Sequence, residues 1–385
     1  MRGTWAFALV SSACGFSPHA AIDAAVTGTT DGDATEVTAD AFPDAPPGQV
    51  CFGTLAYDRI CYLAANVPSG TKTYQIVEGI NTDDVPTCNG NVNLASVIPG
   101  NPCIIAAGSI EFSASADLGV FGSRPLIFLA TGPLGITVGA GTDIDAGANN
   151  TSSGPGSPTS CPGTTAAAQK SGGFGGSFLA LGGKGGLGSG DNGQSKGLPA
   201  PVLATPTNLQ GGCPGGIGAN NDVHTPAAGG GAIALVALTL TIDGIVAAGG
   251  GGGTTPAQDG AGGNGGGAGG MIVLDAPAIA GTGELDAKGG GGAEGKGGNA
   301  TTSGRPGYNP LDRAEDGLGG STNGSSGGDG GHGGPFLDAS SVVSNAGADG
   351  KDGVNAGGGG GGGAAGVVLA TSALPVLLVS NPAPH

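Results

Sequence analysis

The side chains with the clearest chemistry in this chain are its seven cysteines. Six of them fall into two groups, with Cys51, Cys61, Cys88 and Cys103 in the first and Cys161 and Cys213 in the second. The spacing in the first group does not match a zinc site. In an exported chain, four neighbouring cysteines indicate two disulfides, for which three connectivities are open. Setting Cys14 aside leaves an even number, so we also predict a Cys161–Cys213 bridge.

The other residues of chemical interest form no local catalytic motif. The four histidines are widely separated along the chain: His19, His224, His332 and His385. Residues 183–188 fit the glycine pattern of a dinucleotide-binding loop, but the following Ser-Gly-Asp-Asn-Gly stretch opposes the helix that such a site needs. The sequence therefore predicts a protein that is not an enzyme and holds no cofactor or metal.

Two alternatives to this prediction remain open. The Gly-Gly-Asp-Gly-Gly run around Asp329 resembles part of a calcium-binding nonapeptide repeat, although that Asp stands alone in its run. The acids Asp145, Asp243 and Asp286 are expected to form turns at strand corners. An enzyme acting on acidic polysaccharides is the second alternative, but the chain has one Trp and four Tyr to serve as aromatic platforms.

A sequence repeat covers residues 229–292 and would provide the scaffold that positions the cysteine, histidine and acidic side chains. Each equivalent pair lies 39 residues apart: Ile233 and Ile272, Leu235 and Leu274, Leu240 and Ile279, and Val246 and Leu285. Apolar residues recur at spacing two inside the unit, as on a strand with one buried face. A gapless repeat of this length favours stacked structural units.

The repeat predicts an all-β fold, a parallel β-helix (solenoid) with long glycine-rich insertions and a disulfide-bearing N-terminal cap. Similar strand patterns recur at residues 126–131 and 366–371, so further turns are expected on both sides of the pair. Equivalent aliphatic side chains would then stack in columns from turn to turn. An antiparallel sandwich built from the same short strands is the alternative.

The composition divides the chain into four segments. We expect a signal segment at 1–14, a disordered Ala/Asp/Pro spacer at 15–48, and a cysteine-bearing cap with the first strands at 49–124. The solenoid would occupy 125–381. Glycine-rich excursions would interrupt it at three places: 147–228, 249–268 and 289–365.

Residues 1–14 resemble a bacterial lipoprotein signal, with Arg2, an apolar centre and small residues before Cys14. The resemblance implies that Cys14 is lipidated and that the chain contacts a membrane only through this anchor. Gly15 after the cysteine implies an outer-membrane or cell-surface location. An ordinary signal peptide, which would give a secreted protein, is the alternative.

Several glycine runs keep a period of three, as in residues 172–177 and 327–335. A left-handed extended helix has three residues per turn, so such runs present bare backbone on two faces. They resemble the polyglycine-type bundles of certain antifreeze proteins and phage tail-tip adhesins. Flexible linkers are the alternative, because ordering glycine costs much backbone entropy.

The overall charge restricts the partners. Glycine provides 87 of 385 residues, charged residues are 11 %, and the formal net charge is −17. Such an acidic chain is a poor ligand for nucleic acid. An extracellular glycan or another cell-surface molecule is the partner class that remains.

The whole layout resembles a group of uncharacterised glycine-rich surface lipoproteins of gliding, predatory soil and marine bacteria. The shared features are Cys14-Gly15-Phe16, the acidic spacer, the cysteine-bearing cap and strands such as 124–127. The resemblance implies no known activity. We therefore expect a surface-anchored structural or adhesive protein without catalytic activity. A carbohydrate-, calcium- or ice-binding module presented by the glycine-rich loops is the alternative.

Overall fold

The computed structural model describes most of the chain after the spacer. The described residues are 47–75, 78–92, 94–95, 98–113, 116–148, 152–189, 196–203, 206–220, 225–297, 327–334, 336–337, 343–344, 347–353, 356–375 and 378–382. In these ranges the chain is all-β, with two short 3-10 turns at Ala64–Asn66 and Asn89–Asn91. The predicted all-β class is confirmed.

The strands are short and follow one another in a regular order. In the first part of the chain they are β1 (Gln49–Phe52), β2 (Ile60–Leu63), β3 (Thr71–Tyr74), β4 (Glu78–Asn81), β5 (Cys103–Ala107), β6 (Ser109–Phe112), β7 (Asp117–Phe121), β8 (Leu126–Ala130), β9 (Ile136–Val138) and β10 (Asp143–Asp145). After the first glycine-rich insert come β11 (Ala232–Val236), β12 (Thr239–Ile242), β13 (Ile245–Ala247), β14 (Met271–Asp275), β15 (Ala278–Ala280), β16 (Glu284–Asp286), β17 (Phe336–Leu337), β18 (Val343–Ser344), β19 (Val367–Ala370) and β20 (Val379–Asn381).

Sixteen of these strands form three parallel sheets. Sheet 1 has the order β15-β12-β9-β6-β3, sheet 2 has β20-β16-β13-β10-β7-β4, and sheet 3 has β19-β14-β11-β8-β5. From β3 to β16, successive strands enter sheets 1, 2 and 3 in rotation. Among the described residues, antiparallel strand pairs occur in the β1–β2 and β17–β18 hairpins, and three isolated antiparallel bridges lie outside the three parallel sheets. The parallel sheets contradict the antiparallel sandwich.

The register of the sheets matches the 39-residue repeat. Ile233 lies opposite Ile272 and Leu235 opposite Leu274 in sheet 3. The other predicted pairs, Leu240 with Ile279 and Val246 with Leu285, are neighbours in sheets 1 and 2. Strands β3 and β4 already belong to sheets 1 and 2, so the sheets begin inside the segment predicted as the cap, 49–124, well before residue 125.

The pattern of burial along a strand differs between sheet 3 and the other two sheets, and the pattern of apolar residues in the sequence differs in the same way. Strands of sheets 1 and 2 alternate buried and more exposed residues, as in β7. In sheet 3, β5, β8, β11 and β14 are buried at every position. One apolar cluster draws side chains from all three sheets, and a second lies between sheet 3, the β1–β2 hairpin and the glycine-rich segments. Sheet 3 is therefore covered on both faces, which explains its continuous apolar runs.

The outer edge of β5 is closed by two asparagine side chains. Asn89 Nδ2 donates to Ala106 O at 2.8 Å, and Asn89 Oδ1 accepts from Ala106 N at 3.1 Å. Asn91 Oδ1 accepts from Ile104 N at 2.8 Å, and Asn91 Nδ2 donates to Pro102 O at 2.9 Å. The two amides thus act as a substitute strand and satisfy an edge that would otherwise be open to pairing.

Three disulfides hold the cap and the first insert. They join Cys51 to Cys61, Cys88 to Cys103, and Cys161 to Cys213. The first lies across the β1–β2 hairpin, and the second ties the Asn89–Asn91 turn to β5. The third is the bridge that the even cysteine count predicts.

Candidate functional site

All three glycine-rich inserts leave sheet 2 and return to sheet 3. Residues 147–228 connect β10 to β11, residues 249–268 lie between β13 and β14, and residues 289–365 lie between β16 and β19. The backbone pairing of the sheets continues into the inserts, since Gly250 N donates to Lys288 O and Gly263 N to Gly358 O. We call this array of paired, extended, glycine-rich segments the glycine bundle.

The central segment of the glycine bundle is 357–364, seven glycines followed by Ala364. Its eight backbone N–H groups all donate to other segments, at 2.8–3.0 Å. The acceptors rotate among three neighbours with a period of three. Their carbonyls belong, in order, to Lys296, Lys170, Lys351, Ala293, Gly173, Ala348, Gly290 and Gly176.

The carbonyls of the same eight residues are bonded as completely. They accept N–H groups from three further segments, again in rotation. The donors, in order, are Gly328, Gly263, Gly186, Gly331, Gly266, Gly183, Gly334 and Gly269. The central segment is therefore surrounded by six others, and every peptide group in it is satisfied without a sheet. In these described segments the structure contains a packed bundle, and not the flexible linkers of the alternative.

Glycine is required here because the backbones touch. A Cβ on Gly360 would lie 2.0 Å from the Asn264 carbonyl oxygen, and one on Gly363 would lie 1.9 Å from that of Gly267. A side chain therefore has no space at these positions. Residues 183–188, which fit a dinucleotide-binding pattern, also lie in the glycine bundle, where Gly183 and Gly186 donate to Gly362 and Gly359.

One outer face of the glycine bundle is closed by carboxylates. Asp349 Oδ1 accepts from Lys184 N, and Asp352 Oδ1 accepts from Leu187 N, both at 2.7 Å. The two acceptors, Asp349 and Asp352, are three residues apart in the sequence, and so are the two donors, Lys184 and Leu187. This spacing equals the three-residue period of the glycine bundle. Asp329 carries an ion pair with Lys351 at 2.7 Å, so the acid that resembles a calcium ligand is already engaged.

The outward face of sheet 1 carries a second candidate surface. One column across its strands consists of Thr73, Glu111, Thr137, Thr241 and Ala280. Beside this column, exposed Thr71 lies opposite the buried Ser109, and Thr239 lies opposite Ala278. Adjacent strands lie about 4.8 Å apart, so these side chains form a regular array of mainly small and hydroxyl groups. We call it the hydroxyl face.

A shallow groove of about 330 Å³ lies where sheet 1 turns into sheet 2. Asp143, Asp243 and Glu284 line it. Asp243 sits at a turn, as predicted, and accepts from Thr282 N at 3.0 Å. Asp145 and Asp286 end β10 and β16, and each accepts a hydrogen bond from the N–H two residues further on, that of Gly147 at 2.7 Å and that of Lys288 at 3.0 Å, as predicted for turn-forming acids. Among the described residues, no three histidine, cysteine or carboxylate side chains converge on a metal site.

The burial of Asp145 and Asp286 changes their acidity. Burial raises the pKa of Asp145, against the Gly147 N–H that its carboxylate accepts at 2.7 Å. Burial also raises the pKa of Asp286, and the Lys288 ammonium 3.0 Å away opposes that shift. Both acids lie next to the point where the inserts leave sheet 2.

A third feature is a buried carboxyl pair, Asp58 and Asp275. Asp58 follows β1 and is fully buried, and Asp275 ends β14 and is 3 % exposed. Asp275 accepts hydrogen bonds from Thr54 Oγ1 at 2.9 Å and from Thr371 Oγ1 at 2.9 Å. Sequence reasoning missed this pair, because more than two hundred residues separate its members and no local pattern links them.

The remaining predicted site residues are distributed as follows. His332 lies in the glycine bundle, and partial burial of its ring, followed by the nearby Lys351 charge, lowers its pKa. Cys14, His19, His224 and His385 lie outside the described residues. The tyrosines in the described part are buried: Tyr57, Tyr62 and Tyr74.

No protein family, curated protein or solved structure matches this chain significantly. In the residues that the structure describes, we find no helix with the length and apolar character needed to cross a membrane.

Proposed function

We propose that the three sheets are the walls of a parallel β-solenoid and that the protein is an exported, surface-anchored structural or adhesive protein without catalytic activity. The rotation of strands among the sheets supports the solenoid, since each turn would then contribute one strand to each wall. The cluster that draws side chains from all three sheets would be its interior.

The observation that carries the structural role is the hydrogen bonding around residues 357–364. A segment with six bonded neighbours and a single methyl side chain, that of Ala364, forms a solid block rather than a pocket. Its width comes from backbone alone, so it extends the solenoid sideways as a stiff wing. Such a shape suits a protein that spaces, covers or contacts surfaces.

Export and anchoring are supported by the disulfides and by the N-terminal pattern. Disulfides persist in oxidising compartments outside the cytosol, and this chain has three. Lipidation at Cys14 would place the folded part beyond the acidic spacer at 15–48. In this position the glycine bundle would face the cell exterior.

The test compares wild type with Cys14→Ser in cells and uses the purified mature chain in binding assays. We expect wild type in the outer-membrane fraction and at the surface, and the variant released from the membrane. Loss of cell–surface or cell–cell attachment on deletion, restored by wild type, would support the adhesive role. Retention of Cys14→Ser in the membrane would contradict the lipid anchor, and turnover of a polysaccharide would contradict the non-catalytic role.

The hydroxyl face favours a second candidate, a binding module for a regular surface such as a glycan polymer or ice. Its support is the column on successive strands of sheet 1 in which Thr73, Thr137 and Thr241 recur, with Glu111 between the first two. Thr241→Lys would place a long cation in the middle of this array, while Thr165→Lys adds the same charge at an exposed position of the first glycine-rich insert. Selective loss of glycan-array binding or ice-growth inhibition in Thr241→Lys alone would favour this candidate.

A further inference from the structure

The Asp58–Asp275 pair joins the β1–β2 hairpin to the end of β14. Asp275 is saturated with donors, because Thr54 contributes both its N–H and its hydroxyl and Thr371 adds a second hydroxyl. Asp58 Oδ1 accepts from Leu55 N at 2.9 Å. Its Oδ2 is buried and receives no hydrogen bond from a donor group of the described residues.

Two ionised carboxylates cannot share a buried site at low cost, since each raises the energy of the other. A single proton removes this conflict. Because the donors around Asp275 stabilise its charged form, the proton belongs on Asp58, where it occupies the otherwise unpaired oxygen.

We propose that Asp58 is protonated in the folded protein, that it donates a hydrogen bond to Asp275, and that this proton is a latch holding the β1–β2 hairpin against sheet 3. Loss of the proton places a second negative charge in the site and releases the hairpin. The hairpin carries Tyr57, Ile60 and Tyr62 of the second apolar cluster, so its release exposes the outer face of sheet 3.

The charges around the latch support this assignment. Burial, followed by the negative charge of Asp275, raises the pKa of Asp58 to about 8, and the Leu55 N–H acts in the opposite direction. Burial and the same two acids raise the pKa of Tyr57 to about 12, so Tyr57 stays neutral throughout. Arg59 follows Asp58 directly in the sequence and is half-buried, but it is not among the groups that shift the pKa of Asp58.

The sign of the pH effect follows from this shift. The pKa of Asp58 is raised on folding, so its stabilising contribution is complete below about pH 4, the ordinary value for an aspartate. The contribution falls as the pH rises and is lost once the pH passes about 8. The latch is therefore closed in mildly acidic conditions and open in alkaline ones.

The latch also has a consequence that rests on the proposed function. The chain enters the folded part at β1, directly after the spacer at 15–48. If Cys14 anchors the protein, tension on the tether reaches the hairpin first. The latch would then set the pH range in which the anchored protein resists being pulled open.

The test measures hydrogen exchange of the purified mature protein, corrected for intrinsic rates, at about pH 5 and about pH 9. We expect amides of residues 49–63 to lose at least about tenfold of their protection at the higher pH, as linkage to one buried proton requires. Asp58→Asn keeps a neutral donor and should show less than about a twofold change over the same range. Asp83→Asn removes an exposed acid far from the pair and should behave as wild type.

A second measurement identifies the proton itself. Infrared difference spectra at neutral pH should contain the carbonyl band of a protonated carboxyl that is missing in Asp58→Asn, and Asp275→Asn should shift its titration to lower pH. A pH-independent hairpin in wild type would overturn the proposal. So would an ionised Asp58 at neutral pH, or a stoichiometric divalent cation bound between the two acids. These outcomes are independent of membrane attachment and adhesion, so the latch and the proposed function can fail separately.

Discussion

Asn89 makes two hydrogen bonds to the backbone of Ala106, one through each end of its side-chain amide, at 2.8 and 3.1 Å. A single side chain thus completes a parallel sheet where the next strand would lie. Asn91 repeats the arrangement two residues later, which matches the spacing of outward groups along β5.

Replacing this amide should destabilise the N-terminal edge. Asn89→Ala leaves the buried Ala106 N–H and C=O without partners, and we expect a loss of about 1–3 kcal/mol in the free energy of unfolding. Asn66→Ala, at an exposed turn position, should change stability by less than about 0.5 kcal/mol. Chemical denaturation of both variants checks this, and equal stabilities would contradict the capping role.

The close packing of the glycine bundle predicts a strong position dependence of Gly→Ala substitutions. Gly360→Ala would force a Cβ to within 2.0 Å of a carbonyl oxygen, and we expect at least about 1–3 kcal/mol of destabilisation. Gly119 lies in β7 with nothing within 4 Å of the equivalent position, so Gly119→Ala should be neutral or slightly stabilising. Thermal unfolding with hydrogen exchange of residues 357–364 distinguishes the two. Similar effects would mean that the inserts are not packed in solution.

The ion pair between Lys288 and Asp286 predicts a pH-dependent loss of stability. Lys288→Gln removes the cation that opposes the raised pKa of Asp286, so this pKa should rise further above its unfolded value. The destabilisation should be small below about pH 3, where Asp286 is protonated in both the folded and the unfolded state, and grow toward neutral pH. Denaturation curves at both pH values test the sign. A larger effect in acid would contradict it.

The disulfides should differ in their contribution according to the loops they close. Cys161–Cys213 spans 52 residues and Cys51–Cys61 spans 10. Loop-closure entropy gives about 4 kcal/mol for the longer loop and about 3 kcal/mol for the shorter one. Paired Cys→Ala variants, compared by chemical denaturation, test this order. A smaller cost for the Cys161/Cys213 variant would indicate that the unfolded first insert keeps residual structure.

The repeat made much of the fold predictable. Ile233 and Ile272 sit in equivalent positions of a gapless unit, and stacking equivalent residues on adjacent strands follows directly. The three-residue period of the glycine runs likewise predicted that they pack together as a bundle of extended segments. It could not identify which segments are neighbours, since residues 357–364 contact segments from all three inserts and the choice depends on how the sheets align them.

The features that escaped sequence reasoning depend on long-range contacts between ordinary residues. Asn89 and Asn91 look like turn formers in the sequence, and only the position of β5 makes them an edge cap. Asp58 and Asp275 look like solvated acids at strand ends. Their burial results from the docking of the hairpin on sheet 3, which a periodicity argument does not reach.

All three inserts leave the same sheet, so the number of strands in the sheets and the number of segments in the glycine bundle change together. Each insert starts on sheet 2 and ends on sheet 3. One additional copy of a block such as 233–271 would therefore add one strand to every sheet and two extended segments, one outgoing and one returning, to the glycine bundle. Tandem duplication would therefore lengthen the stack and thicken its lateral extension in a fixed proportion. A gene that gains or loses such blocks would encode a protein with more or fewer strands in each sheet, while the arrangement of the three sheets stays the same.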